Sequence, residues 1–296
     1  MANSSGGQSR KKIIGSVCGI LAAVCYGTNP LGALNLYAEG MGTNSVLFYR
    51  FGLAWVIIAA VMAVRRESVK VSWKEFAAVT ALGVLFTFSS LTLYVSFTMM
   101  AAGVASTILF TYPVMTAVIM ATVFKERITW QTVAALVLSL AGVVTLYWSG
   151  KTGTLPIWGV VLVLISALTY ALYIIVVDRS DLRMSSFKIN FYVLFYCALG
   201  MVIYSLISGQ ALMLPPTGRA WFFVGWLAIV PAIMALSLMV YSAKYIGSTA
   251  TAIIGALEPL TAVAIGIGLF GEAFTMRLVA GIVLILGAVV LTVVKK

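Results

Sequence analysis

The stretch from Thr249 to Glu272 reads TATAIIGALEPLTAVAIGIGLFGE, and it carries Glu258-Pro259 near its middle. It supplies the ~20 consecutive apolar or small residues that cross a bilayer. An ionised carboxylate in hydrocarbon is costly, and such a residue marks a substrate path, a proton relay or a paired site. A related stretch lies earlier, Thr111–Glu126, TYPVMTAVIMATVFKE, again with a proline near its start and a glutamate at its end.

The rest of the chain has the same character. Of its 296 residues 62% are hydrophobic and 9% charged, where a soluble domain carries about 25% charged residues. The composition is that of a membrane protein. A net charge of +11 would suggest nucleic acid in a soluble chain, but here the basic residues sit in short connections between apolar runs and build no basic face. Histidine is absent, which removes His-based triads, His metal ligands and the commonest general base. Cys18, Cys25 and Cys197 lie inside apolar segments without a CxxC pattern, so they read as small buried hydrophobes, with no metal site and no cofactor expected.

Apolar runs of spanning length fall at about 13–36, 44–64, 76–98, 102–124, 129–148, 156–177, 187–208, 220–243, 248–270 and 274–294, which predicts ten transmembrane helices. Alternate connections divide the positive charge unequally. One side receives Arg10, Lys11, Lys12, Arg65, Arg66, Lys70, Lys74, Lys125, Arg127, Arg179, Arg183, Lys188, Lys244, Lys295 and Lys296; the other receives Lys151, Arg219 and Arg277. Cytoplasmic loops collect Lys and Arg, so both termini are expected in the cytoplasm, with the chain in a bacterial inner membrane. Trp73, Trp130, Trp148, Trp158 and Trp221 fall at helix ends, as an interfacial belt requires, while Trp55 and Trp226 lie deeper. Residues 1–12 read as a disordered cytoplasmic tail. The loops are too short to hide a soluble domain, and there is no GxxxxGK[ST] phosphate loop.

Shifting the sequence by 146 residues aligns Pro113 with Pro259, Ile119 with Ile265, Phe124 with Phe270, Glu126 with Glu272 and Thr129 with Thr275. The match continues without a gap through Val133/Val279, Ala134/Ala280, Val137/Val283, Leu138/Leu284, Leu140/Leu286, Val143/Val289 and Val144/Val290. The chain therefore reads as two five-helix repeats, 13–150 and 151–296. Five is odd, so the second copy enters the membrane from the opposite face. Many secondary transporters use such inverted repeats to build two alternative openings around one midplane site.

A ten-helix chain with two proline-containing helices ending in Glu, the second reading LEPLTAVAIGIGLFGE, resembles the EamA-type members of the drug/metabolite transporter superfamily. FYRFGLA around Arg50 is similar to that family's Arg-Phe signature. The resemblance covers essentially the whole chain. It implies secondary export of small metabolites, frequently amino acids, in some members by proton antiport.

Glu258 stands out among the residues that could do this. It reads either as a proton-responsive carboxylate or partner of a substrate amine, or as a hydrogen-bonded group closing the gap Pro259 leaves in the helix ladder. Tyr112 occupies the matching place in the first repeat, so the charge does not belong to the proline architecture itself. Arg50, ~9 Å from the outer end of its helix at ~1.5 Å per residue, has three readings: an anchor for a substrate carboxylate, an ion-pair partner of Glu258 or a helix C-terminus, or a side chain snorkelling outward. Tyr26, Thr28, Asn29, Ser90, Tyr94, Thr111, Tyr112, Ser166, Tyr170, Tyr173, Trp226 and Tyr241 could line a cavity, Tyr and Trp offering wide apolar faces with one polar handle. Any one of them could equally serve packing. Gly15, Gly19, Ala23 and Gly27 recur every four residues as a close-packing stripe, and Gly266 and Gly268 read the same way. Pro113, Pro259, Glu126 and Glu272 form the structural motif, the two glutamates capping free N–H groups in the first turn of the helix that follows each. Asp178, Arg179, Asp181 and Arg183 form a mixed loop.

The function expected is that of a non-enzymatic secondary exporter of small metabolites, most plausibly amino acids, working by alternating access to a central cavity. A sugar-phosphate or nucleotide-sugar transporter is the alternative within the superfamily, although its substrates would favour more than one buried cation. An intramembrane lipid enzyme, a channel and a scramblase are the other classes. The partners implied are a small-molecule substrate and the lipid bilayer.

Overall fold

A computed structural model describes residues 2–125, 130–148, 155–180 and 184–293, and among them every regular element is helical. The elements are α1 (Ala2–Gly27), α2 (Asn29–Ala38), α3 (Thr43–Val64), α4 (Trp73–Ser96), α5 (Ala102–Leu109), α6 (Tyr112–Val123), α7 (Trp130–Tyr147), α8 (Ile157–Arg179), α9 (Ser186–Ser208), α10 (Gly218–Ile229), a π turn (Val230–Met234), α11 (Ala235–Gly255), α12 (Leu257–Phe270) and α13 (Met276–Val293). Among the described residues seven helical stretches are long and apolar enough to cross a membrane, and Val133–Tyr147, Leu257–Phe270 and Met276–Leu291 are shorter apolar helices. Large apolar side chains such as Val64, Leu206, Ile207 and Leu269 are exposed at the periphery. In water they would be a liability; against lipid they are the expected surface.

The backbone is helical from Ala2, where the polar composition of residues 1–12 predicts a disordered tail. Adding residues to an existing helix costs far less than nucleating one, and the apolar segment supplies the nucleus. The larger difference concerns the spans themselves, several of which are interrupted. α1 stops before Thr28, with Pro30 next; α5 stops at Leu109, with Pro113 in the first turn of α6; α11 stops at Gly255, with Pro259 in the first turn of α12. A π turn containing Pro231 separates α10 from α11. Proline lacks the N–H that would bond four residues back and clashes with that carbonyl, so each of these positions favours a break.

α11 contains a reversal. Ser242 and Thr251 would lie ~13 Å apart along a straight helix, yet their hydroxyls are 2.9 Å apart. A Cβ added to Gly19 would touch both Ser242 and Ile254. The element therefore turns back on itself between these two residues.

Packing follows the 146-residue register. α1 packs along α11 as α4 packs along α8, α3 packs on α9, and α7 packs on α13. Gly142 faces Gly281 and Ile285, while Ala135 and Ala288, displaced by 146 from Gly281 and Gly142, share a buried cluster with Val114. The small-residue stripe of α1 behaves as its spacing predicts: Gly15 meets Tyr245 and Ile246, Gly19 meets Ser242, and Gly27 meets Thr261 and the Glu258 carbonyl.

The two proline helices end alike. Gly271 lies at φ +63 and Lys125, its counterpart in the register, at φ +55. A left-handed residue after a helix closes its last carbonyls, a position that favours glycine because a Cβ there is crowded. Lys125→Gly is therefore expected to stabilise the protein by about 1 kcal/mol, read as a higher thermal midpoint in detergent; a lower midpoint would show that the lysine side chain contributes more than the strain it introduces. Glu126, Arg127 and Thr129 lie outside the described residues, as do Asp181 and Arg183.

Candidate functional site

The interruptions converge. A cavity of about 200 Å³ is lined by Tyr26, Asn29, Arg50, Phe86, Ser89, Ser90, Leu93, Tyr94, Leu109, Tyr112, Tyr170, Leu236, Met239 and Glu258. Tyr26 and Asn29 flank the break between α1 and α2, Leu109 and Tyr112 flank that between α5 and α6, Glu258 opens α12, and Leu236 and Met239 follow the π turn. Irregular backbone at membrane depth is tolerated where it lines a cavity. Broken helices also turn their free N–H and C=O groups toward a site, a recurring device of transporters.

One wall is organised by Arg50. Its side chain is 5% exposed; Nη1 donates to the Tyr94 hydroxyl at 2.5 Å, and the guanidinium carbon stands 5.3 Å from the ring centres of both Phe51 and Tyr94. Tyr94 passes the bond on to Asn29 Oδ1 at 3.2 Å, and Asn29 Nδ2 donates to the Tyr26 carbonyl at 2.9 Å across the α1–α2 break. Behind it, Tyr37 donates to the Tyr94 carbonyl at 2.9 Å. Arg50 Nε is buried without a hydrogen-bond partner. The guanidinium is held by neutral groups, so its charge is oriented but not neutralised.

The other wall is aromatic and acidic. Tyr112 meets Tyr170 edge-on at 4.7 Å, and Phe86 lies 6.2 Å from Tyr170. Glu258 sits in the first turn of α12, where the helix dipole favours a carboxylate. Among the described residues no ion pair joins Arg50 to Glu258, so that reading of the two charges does not hold in this conformation; Arg50 donates to the Tyr94 hydroxyl instead. Nor does Arg50 snorkel outward, since it is buried.

Of the residues singled out in the sequence, the cavity gathers Glu258, Arg50, Tyr26, Asn29, Ser90, Tyr94, Tyr112 and Tyr170. It does not include six others, of which Thr28 and Thr111 are buried beside the breaks before α2 and α6. Ser166 is fully buried between α4 and α8, where its hydroxyl donates to the Ser89 carbonyl at 2.7 Å. Tyr173 stacks behind Tyr170 at 5.8 Å. Trp226 donates to Thr28 Oγ1 at 3.2 Å, bracing the α1–α2 break from outside. Tyr241 is 54% exposed. Phe86, Ser89, Leu93, Leu109, Leu236 and Met239 line the cavity without having been singled out; only the Ser89-Ser90 pair and the nearness of Leu236 to Pro231 set any of them apart.

Glu272 caps a helix of the other repeat. Thr275 Oγ1 accepts from the Leu278 N–H at the start of α13 at 3.1 Å, whereas the Glu272 carboxylate accepts from the Ala102 and Gly103 N–H groups of α5 at 2.6 and 3.1 Å. The partner lies in the other repeat because Gly271 turns the chain back over Gly266, leaving no room for a Cβ beneath the carboxylate. Gly268, by contrast, faces open space.

The model of the EamA-like transporter family matches this chain twice, over residues 13–148 and 157–294. An uncharacterized transporter of Archaeoglobus fulgidus is 26% identical over 166 residues, covering 56% of this chain and 58% of that protein. An uncharacterized inner membrane transporter of Escherichia coli (strain K12), YedA, is 27% identical over 173 residues, covering 58% of this chain and 54% of that protein. The matched segment spans a little over half the length of either relative. One crystal structure, of a protein 19% identical, superimposes with a TM-score of 0.67 over 94% of this chain and 95% of that chain, which shows a shared fold. The protein is an integral, multi-pass membrane protein of two-repeat architecture, and the chain belongs to the EamA-like transporter family.

Proposed function

We propose that this transporter exports small zwitterionic metabolites, amino acids foremost, by alternating exposure of the central cavity. It does so as ten spans in two inverted five-helix repeats, 13–150 and 151–296, with both termini in the cytoplasm and the chain in the inner membrane. The observation that carries the reading is the separation of charge in one cavity: Arg50 on the Tyr94–Asn29 wall and Glu258 on the Tyr112–Tyr170 wall, with no ion pair between them among the described residues. A zwitterion satisfies both at once, its carboxylate on Arg50 and its ammonium on Glu258. The aromatic wall accepts the apolar part.

Size supports the same class. About 200 Å³ is the share of roughly seven liquid waters, below the ~300–1,000 Å³ of pockets for drug-sized ligands. A nucleotide-linked sugar would need more room and more cations than Arg50 alone. Tyrosines, serines and one carboxylate beside an always-charged guanidinium suit binding and release; the site holds no histidine to serve as the usual general base.

The test is counterflow of labelled amino acids into liposomes containing the purified protein. Saturable exchange that distinguishes among amino acids is expected. Absence of uptake across a broad panel, from protein that remains folded, overturns the substrate class.

A further inference from the structure

The contact between Glu272 and α5 ties together two half-helices whose other ends reach the cavity. On the proposed topology α5 and α12 are the half-helices that run from the cavity to the outer face: Leu109 and Glu258 stand at their cavity ends, Ala102 and Glu272 at or next to their far ends. They come from different repeats and pack together. A Cβ placed on Gly103 would lie 2.8 Å from Val263 Cα and 2.9 Å from Glu272 Oε2, so the approach is close enough to need glycine. The eight residues of α5 span ~12 Å.

We propose that the Glu272 carboxylate is the latch of an outer gate. Bound to the Ala102 and Gly103 N–H groups, it holds α5 and α12 closed over the cavity, and their separation opens the cavity outward. The proposal rests on the alternating-exposure reading. Three features fit a latch better than a simple helix cap. The bond joins two half-helices that each break at the cavity, next to Pro113 and Pro259, so each half has a hinge. It crosses between repeats, where relative movement occurs in inverted-repeat carriers. Its geometry is set within α12: Gly271 at φ +63 turns the chain back, the Glu272 N–H closes on the Gly266 carbonyl at 2.9 Å, and Gly266 leaves space for the carboxylate. α12 therefore carries a finished hook, and α5 offers two free N–H groups that it can leave and regain. The bond is charge-assisted and so among the stronger ones, yet it is made to backbone groups that water can satisfy when the gate opens.

Opening can be measured without a substrate. The full chain, with its three cysteines replaced by serine, would carry spin labels at Thr98→Cys and Phe274→Cys, both exposed beside the contact, in nanodiscs. A dominant short distance is expected for Glu272. In Glu272→Gln, which keeps the shape and loses the charge, the ratio of long to short distances should rise at least tenfold; Glu272→Asp should lie between. Gly103→Ala, whose added Cβ wedges the same contact against Val263 and Glu272 Oε2 while leaving the glutamate in place, should also favour the long distance and serves if the glutamate variants fail to fold. Unchanged distances in every folded variant, with only a lower thermal midpoint, overturn the latch and leave Glu272 a static cap. Because no transport is read, failure of the latch leaves the substrate reading standing. Absence of counterflow alongside shifted distances would overturn the substrate reading and keep the gate.

Discussion

Arg50→Met should lose at least 100-fold in affinity for a zwitterionic substrate while the protein stays as stable as before or becomes more so. Guanidinium is charged at any accessible pH, and here it is buried with one neutral hydroxyl as hydrogen-bond partner and Nε unpartnered. A buried charge without a counter-charge is a cost to the folded state; methionine of similar length removes it. Tyr94 loses a donor but keeps its bond to Asn29. Binding moves the other way. A charge-assisted bond from Arg50 to a carboxylate contributes ~1.5–3 kcal/mol and leaves an unsatisfied partner when deleted, and 100-fold corresponds to ~2.8 kcal/mol. Arg50→Lys should recover little, because a point charge on a flexible stem does not reproduce a guanidinium fixed between Phe51 and Tyr94. Equilibrium binding and thermal midpoint measured on the same samples decide the matter. If both fall together, Arg50 is a structural tie to Tyr94; if affinity falls alone, it is the anchor.

This pairing of a structural cost with a binding gain explains what could be read in the sequence. Charges in hydrocarbon are conspicuous, so Arg50 and Glu258 stand out, and the prolines at 113 and 259 expose the repeat because nothing else in a spanning helix tolerates them so poorly. The break at Thr28 and the π turn at Pro231 were no less encoded, but each proline occurs in one repeat only and lacks a partner to draw attention to it. Which face a residue takes was harder to read. In a soluble helix polarity separates surface from core; here lipid is as apolar as the interior, so Tyr173, Trp226 and Tyr241 look equivalent to Tyr170 until the helices are packed. Leu109, Leu236 and Met239 line the cavity yet carry no mark in a chain that is 62% hydrophobic. Glu272 was legible as a cap, but its partner 170 positions away in the other repeat was not, because sequence neighbours suggest α13 and only the Gly271 turn redirects the side chain.

Glu258→Gln should abolish accumulation driven by a pH gradient and leave counterflow measurable. The substitution keeps a hydrogen-bonding group of the same shape in the first turn of α12, so the cavity and the break at Ala256 persist; it removes the ability to take and release a proton. If one proton is exchanged for each substrate molecule, a gradient of one pH unit, worth ~1.36 kcal/mol, drives at most about tenfold accumulation with the membrane potential clamped. The native protein should approach that ratio, and Glu258→Gln should give about one. Counterflow needs only binding and exchange, so it should persist, with affinity reduced by the loss of the carboxylate facing the ammonium. The position of the carboxylate is what makes the two activities separable. On the proposed reading, with no ion pair between Glu258 and Arg50 among the described residues, a proton and a substrate ammonium would compete for the same group. Occupancy by one would then exclude the other, which is the requirement for exchange in opposite directions. Retained pH-driven accumulation in Glu258→Gln would place coupling elsewhere. Equal loss of both activities would identify Glu258 as a binding or structural residue, and the thermal midpoint of the variant would tell those two apart.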